Sequence, residues 1–388
     1  MDPSKEAHRS FGWSSPEPEV DPCGPAWLGS PGIPSLVSVI VPTYNRAAMI
    51  QAAVTSVAVQ SWRSIEIIVV DDGSTDDTLA ALSRWQTAHP STPLRIIRQQ
   101  NQGPASARNL GASYARGEFI YFLDSDDLIF SNAIEVLAAP LVATTEPFSV
   151  AHIQNTNIAG NPIPNDTEGV SRIVEGSCHR THWMTHAALY RRETLAIAGS
   201  FNTSLRRGED TEHVWRVLAT SRAGRIIPRF IGIRRIHGDG HLSVGRSTAE
   251  AARDDLAIVS HFADWAAARH RMDRAVAEPI VKRALIVALR SGHVCDWASH
   301  AQAIALLART VPQYPVVAPM CRLLKVRSRA IYLLLGSSLI ALKWLRGKVR
   351  SFKSGVTPGH WEDFVLSLAD NPIDRRSRQS DEAEAVGG

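Results

Sequence analysis

From Leu36 to about Tyr121 the sequence alternates short β-branched or aromatic runs with segments of helical period, and few architectures accept that order. The runs Leu36–Val41, Ile65–Val70, Leu94–Ile97 and Phe119–Leu123 are bounded by Gly, Pro, Asn or Asp, as buried parallel strands are. Between them Ile50, Val54 and Val57 recur at i, i+4, i+7, and Leu79, Leu82 and Trp85 at i, i+3, i+6, each an apolar stripe able to cover a sheet. The alternation predicts an α/β class of right-handed βαβ units with a Rossmann-like, mostly parallel sheet flanked by helices. Ligands on such sheets sit beyond the carboxyl ends of the strands, so chemistry is expected in the residues that follow each strand.

The 388 residues are 44% hydrophobic, enough for a sizeable core, which excludes a wholly disordered chain and a collagen. Cys23, Cys178, Cys295 and Cys321 lie far apart without a CxxC pair, which argues against a zinc knuckle or a disulfide framework and for a reducing compartment. The formal charge of +4 hides an asymmetry. From Trp297 to Trp361 there is no Asp or Glu, whereas Arg322, Lys325, Arg327, Arg329, Lys343, Arg346, Lys348, Arg350 and Lys353 crowd into one stretch. No interleaving of aromatic and basic residues of an RNA-binding kind accompanies it, so nucleic acid is not an expected partner.

Residues 1–35 open with charges, carry seven prolines and lack the apolar run of a secretory signal, and read as a disordered leader. Residues 375–388 read as a flexible tail. The longest apolar run, Ala330–Leu342, falls short of the roughly 18–20 residues of a membrane-spanning helix. With its basic flanks, the segment 322–353 is either a helix on an anionic membrane surface or a buried helix with solvated ends. Residues 247–374 as a whole are expected to be helical, with Ile258, Phe262 and Trp265 at i, i+4, i+7.

Three loops concentrate polar side chains. Pro42-Thr43-Tyr44-Asn45-Arg46 follows the first strand and Asp71-Asp72-Gly73-Ser74-Thr75-Asp76-Asp77 the second, the latter open to reading as an Asx-type turn that caps the next helix. After the fourth strand stand Asp124, Asp126 and Asp127 on one turn, where like charges repel unless a cation or donors offset them. Either a divalent ion is shared there or the turn is a solvated acidic cap. Upstream, Gly103 and Pro104 suit the start of a helix that carries Arg108, a salt-bridge partner for the acids or a phosphate contact.

Together SVIVPTYNR at 38–46, VVDDGSTDDT at 69–78, NQGPASARNLGASYARGEFIYFLDSDD at 101–127 and GED at 208–210 resemble, in order and spacing, the family 2 glycosyltransferases, whose fold is called GT-A. The resemblance covers roughly Val37 to Ser243 and implies a catalytic domain over 36–246, with a nucleotide-sugar half at 36–130 and an acceptor half at 131–246. It implies that Pro42, Tyr44, Asn45, Asp72 and Arg108 hold the nucleotide of the donor, most often uridine. Asp124 and Asp126 would be the DxD-type pair, Asp126 on the metal and Asp124 on the ribose or the metal shell, the ion being Mn²⁺ or Mg²⁺. The segment from Ile233 to Ser243 is similar to the family's R-x-H-x-x-x-x-x-S stretch, which implies Arg235 on phosphate and His237 on the metal or the diphosphate. Asp210 would be the general base of an inverting displacement, with Glu209 orienting the acceptor or bracing Asp210.

The resemblance further implies a glycan or lipid-linked hydroxyl acceptor and a role in cell-surface or lipid-linked glycan synthesis. The expected place is cytoplasmic, peripheral on the inner membrane face if the basic segment binds there. His182 and His186 read as packing or surface groups that can also face the acceptor. Two rivals are a nucleotidyltransferase, which would carry an early glycine-rich, lysine-containing triphosphate loop, and a non-catalytic nucleotide-sugar-binding module.

Overall fold

The computed structural model describes residues 32–157, 160–162, 184–221, 224–237 and 247–310. Most of residues 1–35, residues 163–183 with His182, residues 238–246 after His237, the basic segment 322–353 and residues 375–388 lie outside the described residues.

The four β-branched runs become strands β1 (Ile33–Thr43), β2 (Ile65–Asp71), β3 (Leu94–Arg98) and β4 (Gly117–Phe122), paired in parallel in the order β3-β2-β1-β4. Val37, Val39, Ile40 and Val41 are wholly buried, as a strand covered on both faces requires. β1 begins at Ile33, three residues before the apolar run that predicts it, because Ile33 donates its N–H to Arg116 O while Ser35 takes φ 58° and shifts the register. Pro34 and Ser35 mask that start in the sequence.

The helices between these strands, α1 (Ile50–Ala58), α2 (Thr78–Ala88) and α3 (Pro104–Tyr114), bury the stripes that periodicity marks, with Ile50, Val54, Val57, Leu82 and Trp85 in the core and Leu79 half-buried. α3 presses closely on β1 at Gly111, where a Cβ would lie 2.4 Å from Ile40 Cγ2. That approach sets Arg108, one turn earlier on α3, at the carboxyl edge of the sheet.

Beyond β4 the sheet turns mixed. β5 (Leu128–Ile129), α4 (Ala133–Val142), β6 (Phe148–Asn157), β7 (Ala188–Arg191) and β8 (Arg225–Ile236) extend the order to β3-β2-β1-β4-β7-β6-β8-β5 among the described residues. β7 lies antiparallel to β4 and β6, whereas β8 runs parallel to β6. The short helix α5 (Arg192–Ala198) precedes α6 (Glu209–Ser221), whose Val214, Val217 and Leu218 are buried as the spacing predicts.

The chain divides into two compact units, one of residues up to 246 together with 257–280, the other of 247–256 with residues from 281 onward. Helices α7 (Thr248–Ala268), α8 (Arg274–His293) and α9 (Trp297–Thr310) follow the sheet. In the first unit Phe262 packs on Trp215, with ring centroids 5.4 Å apart. In the second, Asp255 takes Arg290 at 3.1 Å, and Asp296 caps α9 by accepting the N–H of Ser299. No helix among the described residues is long and apolar enough to cross a membrane.

Candidate active site

Three loops meet at the carboxyl edge of β1, β2 and β4, and hydrogen bonds weld them together. Asn45, at φ 51°, accepts the N–H of Thr75 on Oδ1 at 2.8 Å and donates its own N–H to Ser74 Oγ at 2.9 Å. A left-handed conformation suits Asn better than most residues, and it turns the chain so that Arg46 points back across the sheet edge. Pro42 is buried at the end of β1, and Tyr44 stands exposed beside it.

The loop after β2 is the Asx-type turn that its composition allows, with Ser74 donating its N–H to Asp71 and Asp76 accepting from Thr78 N at 3.0 Å. Asp71 is fully buried, and burial raises its pKa. Asp72 fastens this loop to the start of α3. Its Oδ1 accepts from Gln99 Nε2 at 2.7 Å and Gln102 N at 2.8 Å, and its Oδ2 from Gly103 N at 2.8 Å.

Arg108 is buried and forms the centre of the site. Its Nη2 donates to Asp124 Oδ1 and its Nη1 to Glu209 Oε1, both at 2.8 Å, with Phe201 stacked beneath the guanidinium. Arg108 thus bridges residues 16 and 101 positions away by ion pairs. Burial works against the Arg108 charge, yet the two acids outweigh it and raise its pKa. Burial likewise pushes Asp124 up, but Arg108 more than offsets this and leaves Asp124 below its ordinary value. At Glu209, burial outweighs Arg108 and the pKa is raised.

The acidic turn does not cap a helix, since β5 follows it. Each acid faces a different partner. Asp126 Oδ2 receives Arg46 Nε at 3.2 Å and His237 Nε2 at 3.1 Å. Arg235 donates its Nε–H to the Asp126 carbonyl and its backbone N–H to Asp127 Oδ1. Asp127 Oδ2 faces His186 Nδ1 at 3.4 Å. Burial, then the charges of Asp126 and Asp124, hold the Asp127 carboxyl well above the usual range. Burial holds His186 down to about 4, so it is a neutral imidazole at physiological pH. Asp124, Asp127 and His186 each offer a ligand atom, all within 4.8 Å of one another, so the donor set fits a divalent cation.

Asp210 stands next to Glu209 in the first turn of α6, half-buried, with its Oδ1 accepting the Thr211 N–H at 2.7 Å. The preceding Gly208 has φ 71°, and a Cβ there would come within 2.2 Å of Ile258 Cδ1. Two residues of this cluster escape sequence reasoning. Arg46 lies inside a quoted motif without a role, although its position after the first strand is the signal that marks the site. His186 reads as a packing group because it sits 59 positions from Asp127, in a 3-10 turn, Thr185–Ala187, just before β7. Only the antiparallel return of β7 beside β4 brings it there.

The sheet is mostly parallel up to β4 and mixed beyond it, with an acidic turn after β4 and a carboxylate pair opening α6. Residues 38–208 match the model for Glycosyl transferase family 2, and the chain carries a family 2 glycosyltransferase domain. An uncharacterized glycosyltransferase of Rickettsia felis is 35% identical over 175 residues, which cover 45% of this chain and 29% of that protein. A Campylobacter jejuni protein named GalNAc(5)-diNAcBac-PP-undecaprenol beta-1,3-glucosyltransferase is 39% identical over 101 residues, 26% of this chain and 33% of that one. The chain thus spans about a third of the length of these relatives. Among solved structures, residues 1–349 of S. aureus TarS in complex with UDP-GlcNAc share the GT-A fold, with a TM-score of 0.58 and 20% identity over 76% of this chain and 89% of that one. A mannosyltransferase from Pyrobaculum calidifontis in complex with GDP-Man and Mn²⁺ has a TM-score of 0.50 and 22% identity over 80% of this chain and 90% of that one.

Proposed function

We propose that this protein is an inverting glycosyltransferase that moves a sugar from a nucleotide diphosphate sugar, a UDP-sugar by family habit, to a hydroxyl of a glycan or lipid-linked acceptor. One observation carries the reading. Arg108 ties the acidic turn after β4 to Glu209, the neighbour of Asp210, through two 2.8 Å ion pairs, so the donor-side and acceptor-side carboxylates share one rigid node. Names among the relatives support the class, and the nucleotide-sugars bound to TarS and to the mannosyltransferase support the donor type.

In this reading Pro42, Tyr44 and Asn45 line the nucleotide cleft, and Asp72 holds the cleft's shape by tying the β2 loop to α3. Arg235 is turned toward the acidic turn, where the diphosphate is expected. A divalent ion bound at that turn supplies charge neutralisation for the leaving nucleoside diphosphate. The resemblance assigns the ion to Asp124, Asp126 and His237, whereas Asp124, Asp127 and His186 are the residues whose ligand atoms converge within 4.8 Å of one another. Asp210 takes the proton of the acceptor hydroxyl as its oxygen attacks the anomeric carbon, so a single displacement inverts the configuration without an enzyme nucleophile. Glu209 is held by Arg108 and braces Asp210.

In this reading catalysis belongs to 36–246, and the basic segment 322–353 would rest on the inner face of a membrane by charge attraction. The nucleotidyltransferase rival finds no glycine-rich, lysine-containing loop after β1, and the binding-module rival predicts no turnover. Purified full-length protein assayed against a panel of nucleotide sugars with Mn²⁺ tests the reading. Nucleotide release with one donor, lost in Asp210→Asn and giving product of inverted anomeric configuration, is expected. Undiminished turnover by Asp210→Asn overturns the base assignment, and no release or thermal shift with any UDP- or GDP-sugar overturns the donor class.

A further inference from the structure

We propose that Asn109 is a positioning residue of the transfer reaction, which fixes α6, and with it Asp210, relative to the helix that carries Arg108. The proposal rests on the reading of Asp210 as the general base, and it names the contact that places that base.

The ground is a strip of backbone, residues 198–201, whose four successive carbonyls are all taken by side chains. Arg216 of α6 donates from Nη1 to Ala198 O and from Nη2 to Ser200 O, and His213 of α6 donates from Nε2 to Gly199 O at 3.1 Å. The fourth carbonyl is taken from the other side. Asn109 of α3 donates from Nδ2 to Phe201 O and accepts the Phe201 N–H on Oδ1, both at 2.8 Å across 92 positions of chain. Three carbonyls are thus gripped by α6 and the next by α3, so the strip is the joint between the two helices. The Phe201 ring completes it, stacked on His213 with centroids 4.1 Å apart and lying 5.3 Å beneath the guanidinium of Arg108.

The chemistry of this joint calls for asparagine. Its amide offers a donor and an acceptor side by side, so it closes two bonds on the backbone of one residue, whereas aspartate lacks the donor and alanine lacks both. At 3% exposure, bonds lost by substitution are not made up by bulk water. At the far end of the same loop the neighbouring Arg108 holds Glu209 at 2.8 Å. Consecutive residues of α3 therefore hold both ends of the segment 201–209 that delivers Asp210. The ties that shape the donor side, Asp72 to Gln102 and Gly103 and Asn45 to Ser74 and Thr75, do not pass through this strip. Loosening the joint should then slow the reaction and leave donor binding in place.

The test uses full-length protein with Mn²⁺, assayed for nucleotide release from the nucleotide sugar that the wild type turns over and for UDP binding by calorimetry. A shift of about 1 Å at a reacting group costs up to about a hundredfold, so Asn109→Ala is expected to lower kcat by about ten- to a hundredfold, with donor KM and the Kd of UDP changed by less than about threefold. Val217→Ala, a truncation in the buried core of the same helix, is the stability control, expected to lower Tm yet keep kcat within about threefold where the protein is folded. Added to Asp210→Asn, the Asn109→Ala change is expected to lower the residual rate by less than about twofold, because a residue that acts through the base has nothing left to place. Multiplicative loss in the double variant, a kcat for Asn109→Ala within about threefold of the wild type, or an equal kcat loss in Val217→Ala overturns the positioning role and leaves the base reading standing. If Asn109→Ala does not fold, as judged by circular dichroism, the isosteric Asn109→Asp, which keeps the bond from the Phe201 N–H and loses the one to its carbonyl, is read in its place. Failure of both variants to fold makes Asn109 a folding residue and overturns the proposal. Undiminished turnover by Asp210→Asn overturns the base reading and the proposal with it, as does a wild type that releases nucleotide from no nucleotide sugar.

Discussion

Replacing Arg108 by Met keeps most of the side-chain stem and removes the charge at the centre of the site. The guanidinium is 6% exposed, and it makes two ion pairs at 2.8 Å, to Asp124 and to the nearly buried Glu209. Removing one partner of a buried ion pair leaves an uncompensated charge and costs about 3–5 kcal/mol. A domain of this size loses about 2–4 °C in Tm per kcal/mol, so the variant is expected to melt about 10 °C lower at pH 8. The loss depends on pH with a definite sign. Burial already raises the pKa of Glu209 against the pull of Arg108, and without Arg108 it rises further above its unfolded value. A carboxyl with a raised folded-state pKa destabilises the fold above that pKa and ceases to do so as the pH falls through it. The deficit of the variant relative to the wild type should therefore shrink between pH 8 and pH 5. Urea denaturation of both proteins at the two pH values, followed by tryptophan fluorescence, measures it. A deficit below about 1 kcal/mol at pH 8, or one of equal size at pH 5, refutes Arg108 as the charge that holds the two acids.

Further outcomes are expected. Gly208→Ala places a Cβ at φ 71° and 2.2 Å from Ile258 Cδ1, so it should lower Tm and turnover together, whereas a thermal melt matching the wild type counts against the strained start of α6. Asp72→Asn cannot accept all three hydrogen bonds from Gln99, Gln102 and Gly103, and should cost about 1–3 kcal/mol and weaken UDP binding in a calorimetric titration. His213 stacks on Phe201 at 4.1 Å, and burial holds its pKa well below the ordinary value. The unfolded chain then binds the proton first, so stability should fall as the pH drops below about 6.5, by up to about 1.4 kcal/mol per unit, and fall less steeply in His213→Phe. Deleting residues 322–353 should abolish flotation with anionic vesicles at low salt, and retention of flotation by the deletion variant counts against the surface role of that segment.

Strand and helix alternation, the acidic turn and the carboxylates of α6 are legible in the chain because each is a local pattern. A β-branched run, a 3.6-residue stripe or a Gly-Pro helix start is written within a dozen residues, and Ile40, Val54 and Leu82 land in the core that their spacing assigns them. Sequence also places Asp126 and His237 in one site by their likeness to a family stretch, and they meet at 3.1 Å.

What the tertiary structure decided is which charge meets which. Nothing local to Arg108 says that it spans Asp124 and Glu209, and nothing local to His186 says that it faces Asp127. Those meetings depend on β7 returning antiparallel beside β4 and on α6 packing against α5 and Tyr190 of β7, both set by long-range burial rather than by neighbouring residues. Charge interactions reach several ångströms through space regardless of chain separation, and a low-dielectric interior strengthens them, so their partners are fixed only once the core is closed. The alternating runs determined the sheet, and the closed sheet determined the site's electrostatics.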